Sequence, residues 1–139
     1  MYKREFEAIL RTKKAPKSTF LYGMCSYQNN LLSQQLLTLL NAGNEEKVIM
    51  YYDEYAFNSA KNFLAQSSLF GDRNILIIKT DKTIPTKELE SLIGLCAKND
   101  SSYFIHQYFG EDKKATPLTK LFDKSKEAVF VRLFKAEFN

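Results

Sequence analysis

The chain has 139 residues, 45% of them hydrophobic and 26% charged, which is the make-up of one ordinary folded domain and excludes a disordered polypeptide. It contains no run of about 18 apolar residues, and the charged start Met1-Tyr2-Lys3-Arg4-Glu5-Phe6-Glu7 lacks the apolar segment of a secretion signal, so a cytoplasmic protein is expected. A net charge of +4 permits attraction to nucleic acid, but the lysines are dispersed and only Arg11, Lys13, Lys14 and Lys17 form a local group.

In chain order, Phe6, Ile9 and Leu10 share one face of a predicted N-terminal helix that Pro16 ends. A short apolar strand, Thr19 to Tyr22, closes at Gly23. A helix over Tyr27–Leu40 follows, with Leu32, Leu36, Leu39 and Leu40 on one side and Asn41-Ala42-Gly43-Asn44 as its stop. Lys47 to Tyr52 is a near-continuous apolar run, of the kind found in strands buried on both faces. The next helix, about Ala56 to Gln66, turns Ala56, Ala60, Phe63 and Leu64 inward.

Ile75 to Ile78 is the third strand. Thr86 is the expected N-cap of a helix whose stripe Leu89, Leu92, Ile93 and Cys96 follows helical spacing. Ser102 to His106 is the fourth strand. Thr116-Pro117 opens a short helix with proline in its first position, and Ala128 to Val131 is the fifth strand. Strands alternating with helices require crossover connections, hence a mainly parallel five-stranded sheet in a three-layer α/β/α fold with right-handed crossovers.

The chemistry expected of such a fold is missing. Ligands of parallel α/β sheets sit beyond the carboxyl ends of the strands, often at the first strand-to-helix loop. That loop, Gly23-Met24-Cys25-Ser26-Tyr27-Gln28-Asn29-Asn30, has one glycine and no lysine. A phosphate-binding loop needs glycines for close backbone approach and a Gly-Lys-Ser/Thr ending for phosphate and magnesium. A phospho-acceptor site needs paired acids, and no acid follows the first strand, although Asp53, Glu54 and Asp81 follow later ones. His106, at the end of the fourth strand, has no nucleophile in visible relation to it and reads as a half-buried polar terminus. Cys25 and Cys96 are too few for a disulfide framework, and Cys96 reads as a small buried hydrophobe. No cofactor or metal is expected. An unrecognised nucleotide or enzymatic site near Gly23, Asp53 and His106 is the alternative, and salt-dependent DNA contact through Arg11–Lys17 a third reading.

One stretch stands out. Gln66-Ser67-Ser68-Leu69-Phe70-Gly71-Asp72-Arg73 places a bulky apolar pair at a helix-to-strand corner where polar residues are expected. Gly71 offers the left-handed conformation that ends helices, with Leu69 and Phe70 on the last turn and Asp72 and Arg73 serving the turn itself. On composition alone such a pair folds into the core.

With Phe20-Leu21-Tyr22-Gly23, Asp53 and Phe57, the segment Ser68-Leu69-Phe70-Gly71-Asp72-Arg73 resembles the N-terminal domain of the delta subunit of the bacterial DNA polymerase III clamp loader. The resemblance implies a degenerate AAA+-type nucleotide-binding fold without ATP binding, and a non-catalytic role within a DNA-directed DNA polymerase assembly. It also implies that Leu69 and Phe70 plug a pocket on the sliding clamp, the beta subunit, and favour its opened ring for loading onto DNA in chromosomal replication. Gln66 completes a Gln-x-x-Leu-Phe pattern like those of clamp-binding peptides. Residues 1–139 would be the first domain of a subunit whose lid and collar domains, absent from this chain, join other loader subunits. The neutral Met24-Cys25-Ser26 departs from the acidic residues common in that family after the first strand's glycine.

Overall fold

A computed structural model describes residues 2–12, 14–23, 25–40, 45–66, 73–125 and 127–133. Helices and strands alternate: α1 (Lys3–Arg11), β1 (Ser18–Gly23), α2 (Ser26–Leu40), β2 (Glu45–Tyr51), α3 (Phe57–Ala65), β3 (Arg73–Thr80), α4 (Thr86–Lys98), β4 (Ser102–Tyr108), α5 (Asp112–Asp123) and β5 (Ala128–Leu133). A single 3-10 turn, Tyr52–Glu54, links β2 to α3. The five strands form one sheet in the order β2-β3-β4-β1-β5, every pairing parallel.

That order explains the two helical layers. The chain crosses the sheet in one direction from β1 to β2, and in the other from β2 through β3 and β4 to β5. Crossovers of a single hand then place their helices on opposite faces. Leu32, Leu36 and Leu40 of α2 pack with Phe6 of α1 on Leu21, Ile75, Ile77, Ile105 and Val131. On the other face α3, α4 and α5 cover Phe20, Leu76, Ile78 and Phe104 through Phe63, Leu64, Leu92, Cys96, Leu118 and Phe122. The domain is therefore a three-layer α/β/α sandwich with a hydrophobic core on each side of the sheet.

The sheet order also shows which apolar runs are central. In β3 every residue from Asn74 to Ile78 is buried, as a central parallel strand should be. The run in β2, expected to be buried on both faces, is at the sheet edge instead: Glu46, Lys47 and Tyr51 are exposed, and Val48 and Ile49 only half-buried. Apolar content alone does not distinguish an edge strand, whose outer side no helix reaches, from an inner one.

Other local expectations shift. Ala56 is the exposed residue preceding α3 and does not point inward. Pro85 rather than Thr86 occupies the N-cap of α4. α5 begins at Asp112, so Pro117 lies inside the helix rather than at its first position. A proline there has no N–H for the carbonyl one turn earlier, that of Lys113. Threonine hydroxyls serve neighbouring carbonyls: Thr116 Oγ1 donates to Asp112 O (3.2 Å) and Thr119 Oγ1 to Thr116 O (2.7 Å). Because Pro117 is exposed and contributes little to the core, Pro117→Ala is expected to stabilise the domain by about 1–3 kcal/mol in urea unfolding.

Candidate functional site

The sheet has one topological switch point, between β1 and β4, whose crossovers leave on opposite faces. Their pairing ends at Leu21 and Gln107, after which β1 continues only with β5, as far as Gly23 opposite Leu133. In a nucleotide-binding member of this architecture the ligand enters the crevice that opens there. Here protein amides fill it. Asn29, in the first turn of α2 and buried, donates through Nδ2 to Leu21 O (3.1 Å) and Tyr108 O (3.4 Å), tying together the two diverging strands. Gln107 Nε2 donates to both Asn29 Oδ1 and Asn30 Oδ1, each at 2.9 Å. Asn30 Oδ1 also accepts from Lys79 Nζ at 3.4 Å, and that ammonium lies 5.6 Å from the Tyr51 ring.

Gly23 serves this packing rather than a phosphate. Its φ of 126° lies in the region reserved for glycine, and a Cβ there would collide with the backbone of Leu133. The place of a phosphate cradle is thus occupied by side-chain amides of α2 and β4, joined through Asn30 of α2 to the Lys79 ammonium of β3.

Gly23, Asp53 and His106 do not converge. Asp53 follows β2 with its side chain 93% exposed, in a surface pair with Lys82 at 3.7 Å. The end of β2 is three strand spacings from β1, roughly 14 Å. His106 is not a half-buried strand terminus, because β4 runs on to Tyr108 and carries the imidazole into the interior. Its ring lies 5.1 Å from that of Phe20 and meets Tyr108 edge-on at 6.3 Å, facing α3–α5, whereas Gln107 faces α2. No described residue hydrogen-bonds its nitrogens, and burial pulls its pKa down to about 3. A neutral imidazole among aromatic rings is a core residue, not a general base.

Cys96 is fully buried, as expected, and burial pushes its thiol up to about 12. Among the described residues no His, Cys, Asp and Glu cluster is arranged to hold a metal ion. No described helix is long and apolar enough to cross a membrane.

The basic segment loses a member to the interior. Lys17 is buried, its ammonium donating to Asn99 O (3.0 Å) and Asp100 O (2.8 Å) at the end of α4 and lying 4.0 Å from the Tyr103 ring. Burial lowers its pKa. Lys14 stays at the surface, 3.9 Å from Glu127, and Lys13 lies outside the described residues.

The Gln66–Arg73 corner is at the opposite pole, where the strands begin. Helix α3 ends at Ala65, with Gln66 extended (φ −68°, ψ 139°), several residues before Gly71, the expected helix stop. Gln66 is exposed; its carbonyl accepts from Asn74 Nδ2 (2.8 Å) and Asn99 Nδ2 (2.9 Å). Leu64 O accepts from Asn99 Nδ2 (3.0 Å) and Ser102 Oγ (2.6 Å). Arg73, where the chain re-enters the sheet, donates through Nη1 to Leu40 O (2.6 Å), its guanidinium 5.6 Å from the Tyr103 ring. The Arg73 side chain therefore ties the start of β3 to the end of α2, while Asp72, expected with it to serve the turn, lies outside the described residues. Residues 67–72, Leu69 and Phe70 among them, lie outside the described residues.

Sequence reasoning missed Asn29, Gln107, Asn74, Asn99 and Ser102; Gln66, expected to contact a partner through its side chain, is exposed and bonded through its backbone carbonyl. The available signal was polarity out of place: Asn74, Ser102 and Gln107 lie at the ends of apolar strands, and Asn29 lies on the inward side of a helix.

No protein-family model matches the chain. Two curated proteins of Helicobacter pylori are similar to it, each described only as a protein. The one from strain J99 is 27% identical over 157 aligned positions, covering 96% of this chain and 44% of that protein. The one from strain 26695 is 28% identical over 100 residues, covering 70% of this chain and 29% of that protein. The chain therefore spans less than half the length of either relative.

The buried imidazole predicts an acid-labile fold. Its folded pKa, about 3, lies below the unfolded value of 6.5, so the unfolded chain takes up the proton first as pH falls. This contribution to stability is complete above pH 6.5 and is lost by about 2 kcal/mol at pH 5, before most carboxylates titrate. Urea unfolding at pH 7, 6 and 5 should show that slope in the wild type and a flatter one in His106→Phe.

Proposed function

We propose that this chain is the N-terminal domain of a delta-type clamp-loader subunit, binding the sliding clamp (beta subunit) through Leu69 and Phe70 with Gln66 assisting. The observation that carries this reading is the corner itself. The Gln-x-x-Leu-Phe pattern starts at an exposed residue whose backbone is held by two side-chain amides, and the segment is re-anchored at Arg73.

Two features add support. The strand order, read from the other edge as β5-β1-β4-β3-β2, differs from both common dinucleotide- and flavin-binding orders. The amide-filled crevice agrees with a domain of that architecture that has no nucleotide to hold. Relatives more than twice as long also leave room for the lid and collar domains through which the subunit would join its loader partners.

The work is conformational, not catalytic. A ligand shifts an equilibrium only by its difference in affinity for the two states, so the domain must bind the opened clamp more tightly than the closed one. Burying a leucine and a phenylalanine is worth about 1.5–3 kcal/mol each, enough to dominate an interface.

Purified clamp is expected to bind Leu69→Ala/Phe70→Ala at least about 100-fold more weakly than the wild type. Undiminished affinity would remove the site assignment. ATP or ADP with magnesium is expected to leave the melting temperature of the domain unchanged; nucleotide-dependent stabilisation would favour a nucleotide-binding function instead.

A further inference from the structure

A single exposed hydrophobic side chain needs no explanation, but a group that shares one type and one place does. Among the described residues the exposed large hydrophobics are Tyr2, Tyr27, Tyr51 and Tyr52, and every one is a tyrosine. All lie at the pole where the strands end. Tyr2 bridges to Arg132 of β5 just before α1, Tyr27 is the second residue of α2, Tyr51 closes β2 and Tyr52 opens the turn after it.

Two of these rings flank a cation. Ile49 of β2 and Ile77 of β3 face α2, and the alternation of a strand brings Tyr51 and Lys79, two positions on, to the same side. Lys79 Nζ lies 5.6 Å from the centroid of the Tyr51 ring and donates to Asn30 Oδ1 at 3.4 Å. Asn30 and Tyr27 are three residues apart on α2, which makes them surface neighbours, with Cβ atoms about 5–6 Å apart. Along the rim of the filled crevice the order is therefore tyrosine, lysine, amide, tyrosine. Helix α2 has no acidic side chain to oppose an anion there. The acids of the neighbouring loops are committed or turned elsewhere: Glu54 Oε1 accepts from Tyr51 N–H at 3.0 Å, Asp53 pairs with Lys82, and Asp81 faces the β4–α5 loop.

A cation between two exposed aromatic rings matches the repeat of a single strand, with a phosphate for the ammonium and base faces for the rings. Lys79 has three N–H donors and, among the described residues, one acceptor, so donors remain for a ligand. We infer that this rim binds single-stranded nucleic acid, with bases stacked on Tyr27 and Tyr51 and an intervening phosphate on Lys79. A duplex keeps its base faces within its own stack and offers the rings nothing. A protein interface is built around an apolar centre, and no leucine, isoleucine, methionine or phenylalanine is exposed with these tyrosines. The site is separate from the Arg11–Lys17 segment and stands on these contacts alone, whatever the opposite pole binds.

The test measures the fluorescence anisotropy of a short labelled oligothymidylate with the full chain over a range of salt concentrations. Binding is expected to weaken as salt rises and to exceed that of a duplex of equal length. Tyr27→Ala and Tyr51→Ala should each weaken it about tenfold with the salt slope unchanged, whereas Tyr27→Phe and Tyr51→Phe, which keep the ring, should bind as the wild type does. Lys79→Met should instead flatten the slope of log affinity against log salt by about 0.7, the share of one phosphate on a single strand. Tyr27 is 75% exposed on the outside of α2, so its variants stay decisive even where a change at Tyr51 or Lys79 disturbs folding. Wild-type affinity in folded Tyr27→Ala, or equal binding of single strand and duplex, overturns the inference. So does the absence of salt-sensitive binding, which would leave the tyrosines to a protein partner.

Discussion

Two parallel strands that have paired side by side diverge after Leu21 and Gln107, and the amide of Asn29 spans the gap. A buried carbonyl left without a donor costs about 1–3 kcal/mol, so a split in a parallel sheet must be filled by a ligand, water or protein. Here it is filled by protein, and Asn29, Asn30, Gln107 and Lys79 link α2, β4 and β3 in one chain of hydrogen bonds. The usual ligand end of the fold becomes a structural joint. The proposed contact is left to the other end, where backbone carbonyls at the close of α3 are held by Asn74, Asn99 and Ser102.

What the sequence revealed follows a physical division. Period and alternation are local, so the order of helices and strands and the inward faces of α2, α3 and α4 were legible, as was the fold class. Position within the sheet is not local. The apolar runs of β2 and β3 look alike, and only the strand order decides that one is an edge and the other a centre. His106 shows the same limit: two further residues of β4 turn a strand terminus into an interior position. Pro117 misled because proline is at home at a helix start, whereas here α5 begins five residues earlier, at Asp112.

The site was legible where it depends on side-chain identity and illegible where it depends on partners far along the chain. The spacing of Gln66 to Leu69 and Phe70 makes it a candidate in the sequence. That its carbonyl bonds to Asn99, 33 residues away, could not. Asn29 and Gln107, 78 residues apart, meet only because β1 and β4 are neighbours. Lys17 is a caution about charge: counted among the basic residues, it is committed to the carbonyls of Asn99 and Asp100 and adds nothing to a surface that a polyanion would meet.

Strand β3 joins the two poles, with Arg73 and Asn74 at one end and Lys79 at the other. Its eight residues span about 26 Å, and inside the sheet it behaves as a stiff rod. Residues lining the filled crevice and residues framing the corner therefore answer to separate pressures. A substitution among the amides that fill the crevice is thus separated from the corner by the full length of a buried strand.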